Sequence, residues 1–289
     1  MVAGIGIVAS LVVTFFFVGI CYLVNNRITG LYELEKIDMA PVLGAVPMSN
    51  YLNGQSLHIL QHPKSMVSES IRTLRTNLDF FNLSNDRKTV AISSTVSGEG
   101  KSFIAMNLGA VMALSDKKVI LVDLDMRKPK VNLPFKLSDN SKGVSTVLIR
   151  KNTWQETVLP TSIKNFDYLP SGPHPPNPSE LLLLNEFSDL LADLKKHYDV
   201  IIMDTPPVGL VTDGIMAMKR ADVSLYVFRA NYSKKEFLHN LQRIISINKF
   251  SNITTLLNAV TTPGKTYGYG YYEDNGKSIT LKSFFNKSV

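Results

Sequence analysis

Residues 88–111 place three features end to end. An apolar β-like run, Lys88-Thr89-Val90-Ala91-Ile92, leads into the small-residue loop Ser93-Ser94-Thr95-Val96-Ser97-Gly98-Glu99-Gly100-Lys101-Ser102. That loop opens a helical pattern, Phe103 to Val111. A strand, a small-residue loop and a helix in this order form the layout of a phosphate-binding loop. Ser97, Gly98 and Gly100, with Glu99 between the glycines, let the backbone wrap closely so that its N–H groups can point at phosphate oxygens. The helix N-terminus adds partial positive charge. Lys101 supplies a full charge, and the Ser102 hydroxyl is a Mg²⁺ ligand by type. One position departs from G-x-x-x-x-G-K-[ST]: Thr95 stands where the first glycine belongs. An ordinary βα turn with a Gly-Lys pair would read the same over this stretch alone.

Two later segments add to it. Val119-Ile120-Leu121-Val122-Asp123-Leu124-Asp125-Met126-Arg127 is an apolar strand ending in two carboxylates and an arginine. Asp199-Val200-Ile201-Ile202-Met203-Asp204-Thr205-Pro206-Pro207 is a second such strand ending in a carboxylate. Open α/β sheets bind ligands beyond the C-terminal ends of their strands. Asp123, Asp125 and Asp204 are therefore expected near the phosphates, where Mg²⁺ needs oxygen ligands. Each aspartate alone is equally a cap or turn residue; three strand-end signals in one chain weigh against that.

With Ser97-Gly98-Glu99-Gly100-Lys101-Ser102, Leu121 to Arg127 and Ile202 to Pro207 together, the chain resembles the bacterial tyrosine kinases. They are the cytoplasmic engines of polysaccharide co-polymerases in capsule and exopolysaccharide export, and these segments match their Walker A, A′ and B motifs. The resemblance covers about residues 40–275. It implies a P-loop NTPase-type α/β fold: a mostly parallel sheet with helices on both faces, binding ATP and Mg²⁺.

Composition agrees with a globular domain carrying a membranous appendage: 45% hydrophobic and 19% charged residues. The net charge of +7 is spread, without a dense basic run interleaved with aromatics, so no nucleic-acid partner is expected. A single cysteine, Cys21, excludes a disulfide framework within one chain. Val2 to Val24 carries no charge; as a helix it would span roughly 34 Å, enough for a hydrocarbon core of ~30 Å. The expected organisation is a transmembrane helix over 1–24, a juxtamembrane connector over 25–63, a kinase domain over 64–262 and a tyrosine-rich tail over 263–289. Arg27 is the first flanking charge. An ATP site requires the domain after the helix to be cytoplasmic, so the chain is expected in the plasma (inner) membrane as a single-pass protein. Family members often carry two such helices around an extracytoplasmic domain.

In the connector, Pro41 to Pro47 reads as an apolar strand between turn residues. Ser65 to Leu83 reads as a helix, with Ile71, Leu74, Leu78 and Phe81 at helical spacing. Glu69, Arg72 and Arg75 stand three apart on another face, a salt-bridge ladder by spacing. By resemblance they are the motif that joins subunits into a ring. Short helices are expected over Gly143–Ile149 and Thr153–Val158, and a strand over Phe166–Pro170. Asn177 and Pro178 then start a helix running to about His197; Gly-x-x-Pro-Pro-Asn-Pro-Ser-Glu-Leu also resembles a family signature. A helix near Asp213–Arg220 and a strand over Val223–Phe228 follow. Ser233 and Glu236 form a capping box opening a helix through Asn248, and Thr254–Val260 is the last strand. Asn258 ends that strand where related ATPases place an adenine-contacting asparagine; a turn-forming role fits it equally.

Tyr267-Gly268-Tyr269-Gly270-Tyr271-Tyr272 packs four of the eleven tyrosines into six residues. Its glycines argue against a core element, and by resemblance Tyr267, Tyr269, Tyr271 and Tyr272 are autophosphorylation sites. The expected roles follow from phosphoryl transfer, which needs positioning and charge neutralisation. Residues 97–102 cradle the phosphates, with Lys101 on the transferring group. Ser102 and Asp204 hold Mg²⁺. Asp123 orients or deprotonates the tyrosine, with Asp125 its rival or a metal ligand. Arg127 neutralises charge or holds the loop. The implied partners are a ring of like subunits, the polymerisation and export machinery, a cognate tyrosine phosphatase and the membrane. Two other readings are a partition-type ATPase and a nucleotide-binding regulator without kinase activity. Partition ATPases carry a signature lysine where this chain has Val96.

Overall fold

The computed structural model describes residues 10–17, 19–20, 25–49, 57–81, 87–127, 141–209 and 211–261. Its strands are β1 (Val42–Pro47), β2 (Lys88–Ser94), β3 (Val119–Asp123), β4 (Leu159–Pro160), β5 (Phe166–Leu169), β6 (Val200–Asp204), β7 (Val223–Arg229) and β8 (Ile253–Val260). Short helices α1 (Leu31–Leu34) and α2 (His58–Gln61) precede the long α3 (Met66–Phe81) and α4 (Lys101–Ala113). The rest are α5 (Val144–Leu148), α6 (Pro178–Leu181), α7 (Asn185–His197), α8 (Asp213–Met218) and α9 (Glu236–Asn248).

The strands form one sheet in the order β1-β8-β7-β2-β6-β3-β5-β4, parallel except for the β4–β5 pair. Strands of such a sheet are apolar on both sides because helices cover both, and alternate residues divide between two cores. On one face Ile120, Val122, Ile201, Met203, Tyr226 and Phe228 pack with Phe187, Leu190 and Leu194 of α7 and Leu241 and Ile245 of α9. On the other, Val90, Ile92, Leu121, Ile202, Leu225 and Val227 pack with α4 and with Ile71, Leu74 and Leu78 of α3. Twelve of the thirteen α4 residues are buried, because α4 lies on the sheet and α3 covers it. Gly109 is what lets it lie so close: a Cβ there would come within 2.7 Å of the Phe166 ring.

Residues 25–49 of the connector are built into this sheet. Strand β1 runs parallel to β8. The N–H groups of Ile28, Asn231 and Lys235 donate to the carbonyls of Ser233, Ile28 and Asn26, at 2.8, 2.8 and 2.9 Å. Among the described residues no helix is long and apolar enough to cross a membrane; residues 1–9, 18 and 21–24 of the expected span lie outside them.

Three local expectations are corrected. Thr153–Val158 is a turn, not a helix: the Thr157 hydroxyl donates to the Thr153 carbonyl at 2.7 Å, and the chain passes directly into β4. The helix expected from Asn177 to His197 is two, α6 and α7, because Leu184 adopts an extended conformation and starts a new helix. The Ser233–Glu236 capping box does not form, since α9 has Lys235 at its N-cap without a side-chain cap. The Ser233 hydroxyl is bonded to Glu99 instead.

Candidate active site

The loop 95–100 leaves β2, the strand that pairs with both β6 and β7, and every one of its carbonyl oxygens has a donor. Thr95 O accepts from Gly209 N at 2.9 Å, and Val96 O from Ser94 Oγ at 2.9 Å. Ser97 O accepts from the Tyr232 hydroxyl at 2.9 Å, and Gly98 O from Arg229 Nη1 at 3.0 Å. Glu99 O accepts from Asn258 Nδ2 at 3.0 Å, and Gly100 O from Ile104 N at 3.0 Å. Gly98 and Gly100 have φ of +93° and +100°, a region other L-residues enter at a cost. Thr95 has no such need: its hydroxyl meets the Tyr226 hydroxyl at 3.0 Å. The close backbone approach falls on Gly209, whose Cβ would strike the Thr95 carbonyl.

Glu99 turns inward. It is fully buried, accepts Val96 N–H at 2.8 Å and is bonded by the Ser233 hydroxyl. Burial pushes its carboxyl above the usual range, against the hydrogen bonds from Ser233 and the loop backbone.

Beyond the loop stand the three predicted carboxylates. Parallel pairing of β3 with β6 sets Asp123 opposite Asp204, and β2 brings Ile92 beside Asp204 on the other side. Lys101 starts α4 and reaches back: its ammonium lies 3.6 Å from Asp125 Oδ2 and 3.7 Å from Asp204 Oδ1. Burial alone would lower the lysine's pKa; Asp204, Asp125 and Asp123 outweigh it and hold the ammonium charged. Asp123 is fully buried. Desolvation and the neighbouring Asp204 raise its pKa well above the ordinary carboxylate value, with Asp125 N–H and Lys101 pulling the other way. Its Oδ1 accepts Asp125 N–H at 2.9 Å and its Oδ2 the Tyr168 hydroxyl at 3.3 Å.

No closed cluster of three or more His, Cys, Asp or Glu ligands exists among the described residues. Mg²⁺ does not demand one: it keeps waters and takes one or two carboxylates beside substrate phosphates. Asp204 and Asp125, both facing Lys101, are oxygen donors of that open kind, and Ser102 follows Lys101 on the first turn of α4.

Arg127 is engaged. Its Nε donates to Asp213 Oδ2 at 3.1 Å and its Nη2 to Ser179 Oγ at 3.1 Å, while the Ser179 hydroxyl bonds the same buried aspartate. The proline-rich stretch is thereby fastened to the carboxylate strand through Ser179. Pro178 occupies the first turn of α6 as expected, although Asn177 makes no side-chain cap.

On α3 the Glu69 and Arg72 side chains pair, Arg72 also donates to Pro63 O at 2.8 Å, and Arg75 bonds the Ser115 hydroxyl. Tyr267, Tyr269, Tyr271 and Tyr272 lie outside the described residues. Sequence reasoning missed Arg229, Tyr232, Tyr168 and Asp213. Only Ser233 carried a signal, and it pointed to a cap.

The family model described as "AAA domain" matches residues 87–256. The chain is 37% identical over 213 residues to "Tyrosine-protein kinase YwqD" of Bacillus subtilis (strain 168), covering 74% of this chain and 89% of that protein. It is 35% identical over 214 residues to "Tyrosine-protein kinase wzc" of Salmonella typhi, covering 73% of this chain and 30% of that longer protein. Among solved structures it matches the kinase domain of the Escherichia coli tyrosine kinase ETK with a TM-score of 0.75 and 29% identity, over 84% of this chain and all of that one.

Proposed function

The chain belongs to the bacterial tyrosine-protein kinase family of capsule and exopolysaccharide systems, and on that premise we propose that it transfers a phosphoryl group from ATP to tyrosine hydroxyls. Its own C-terminal cluster, Tyr267, Tyr269, Tyr271 and Tyr272, is the first substrate. The observation that carries this reading is Lys101, buried and charged between Asp125 and Asp204 beyond a glycine-shaped loop, with Asp123 alongside.

Bound ATP with Mg²⁺ supplies the phosphoryl group and neutralises charge on it. Ser102 and Asp204 would hold the metal, with Asp125 the further carboxylate. The loop N–H groups and Lys101 bind and orient the phosphates. Asp123 accepts the proton of the incoming tyrosine, whose ordinary pKa is about 10. Arg127, tied to Asp213 and Ser179, holds the wall of the site rather than meeting the phosphate. Asn258, tied to Glu99 O, is a support of the loop in this arrangement.

Phosphates added to the tail place about −1.5 to −2 charges at each tyrosine. Transfer between subunits of a ring organised by Glu69, Arg72 and Arg75, opposed by a tyrosine phosphatase, would cycle that charge. The cycle would be coupled to polymer export from a single-pass membrane protein with its kinase domain in the cytoplasm.

The test is phosphotyrosine mapping by mass spectrometry after Mg²⁺-ATP incubation of dephosphorylated protein, beside Lys101→Met. Phosphate on the 267–272 cluster that disappears with Lys101→Met is the expected result. ATP hydrolysis without phosphotyrosine would replace this reading with that of an ATPase, and nucleotide binding without either would leave a non-catalytic switch.

A further inference from the structure

Three consecutive carbonyls of the phosphate loop, those of Ser97, Gly98 and Glu99, are held by side chains from β7, β8 and the turn after β7. In a trans peptide the C=O and the next N–H point in opposite directions. Tethering these oxygens outward therefore turns the N–H groups of Gly98, Glu99 and Gly100 to the opposite, concave side. The positive φ at Gly98 and Gly100 is the alternation that lets successive N–H groups converge on one anion. Without a tether a carbonyl can rotate inward and set a negative oxygen against the phosphates.

We propose that Tyr232, Arg229 and Asn258 are positioning residues that set the loop's affinity for polyphosphate itself, independently of the nucleotide base. The proposal rests on the nucleotide-site reading but not on tyrosine transfer. Tyr232 is the informative member. It is 41% exposed and lies at the rim of the loop, and the Arg229 guanidinium sits 5.3 Å from its ring centre. An aromatic and an arginine so placed could equally serve as a platform for a base, and the two roles separate by ligand. A platform acts only on ligands that carry a base, whereas a tether acts on any polyphosphate.

The experiment measures dissociation constants of the purified full chain for ATP and for inorganic tripolyphosphate, both with Mg²⁺, by titration calorimetry. Tyr232→Phe removes one oxygen and keeps the ring. Losing one hydrogen bond of about 1 kcal/mol corresponds to about fivefold, and both ligands are expected to weaken by that same factor. Arg229→Met should do likewise, and Arg229→Lys, which keeps a donor, should recover part of the loss. Thermal unfolding without ligand confirms that each variant is folded; Tyr232→Phe and Arg229→Lys are mild enough to serve if Arg229→Met is not. Weakened ATP with unchanged tripolyphosphate would make the pair a base platform and overturn the proposal. No change in either ligand would overturn it too. Failure of the wild-type chain to bind tripolyphosphate or ATP would instead remove the nucleotide-site reading on which it stands.

Discussion

Gly100→Ala tests whether the loop conformation and Asn258 form one unit. Gly100 has φ of +100°, where an alanine costs about 1–2 kcal/mol. Its new Cβ would also run into Asn258 Nδ2, the group that donates to Glu99 O. Driving the amide away gives up a hydrogen bond and leaves a buried carbonyl short of a partner, about 1–3 kcal/mol. The single variant should therefore lose about 2–5 kcal/mol. Asn258→Ala alone avoids the backbone strain and loses the side-chain hydrogen bonds to Glu99 O and from Ala259 N–H, about 1–3 kcal/mol. In the double variant the bond to Glu99 O is lost once, so the cost stays near that of Gly100→Ala, and the cycle shows a coupling of about 1–3 kcal/mol. Urea denaturation of the four chains without nucleotide, extrapolated linearly, measures it. Losses that add to within about 0.5 kcal/mol would show that the alanine methyl never displaces Asn258, and the steric reasoning would be refuted.

Glu99 predicts a pH dependence. Burial raises its folded-state pKa above the reference 4.5, so the folded chain keeps a proton that the unfolded chain releases above that pH. Stability therefore falls as pH rises from 4.5 towards the folded pKa. Glu99→Gln removes this contribution, and the variant's unfolding midpoint should gain on wild type as pH climbs through the window; a constant offset would contradict the assignment. Gly109→Val forces branched methyls into the Phe166 ring and Ile202 and should destabilise by about 1–3 kcal/mol. Phe166→Leu in the same chain should recover part of that loss in the urea midpoint, and absence of both effects would deny the close packing of α4 on the sheet.

The strand, loop and helix around Lys101 were legible because their signals are local: a run of Val and Ile, glycines where φ turns positive, a lysine at the helix start. The carboxylates were legible one step further, because a parallel sheet gathers its strand ends. That Asp123 faces Asp204 is a matter of register, which no single strand records. The tethers were not legible. Tyr232 reaches a carbonyl 135 residues away and Arg229 one 131 residues away, and neither residue type announces an acceptor in backbone. Ser233 shows how a local rule is overruled. A serine three residues before a glutamate is a sound helix start, yet the Ser233 oxygen accepts the Arg229 N–H at 2.8 Å and its hydroxyl donates to the buried Glu99, so both of its roles are taken up away from the helix. The helix from Asn177 read as continuous because Leu181 to Leu184 are all leucine, although Leu181 and Leu182 are buried and Leu183 and Leu184 exposed.

The tie between Asn258 and Glu99 spans 159 residues, and it has a consequence for the order in which the protein comes into being. Domains are made from the N-terminus forward, at about 5–20 residues per second. The ribosome delivers the Lys101 loop early, but the β7 turn and then β8, which carries Asn258, follow only near the end of the sheet. A nascent chain stopped before β8 would have Lys101 and the three carboxylates and still lack a support of the loop beside them. Competence to grip a polyphosphate would thus be among the last properties acquired during synthesis, when β1, made long before, finally receives β8 as its neighbour.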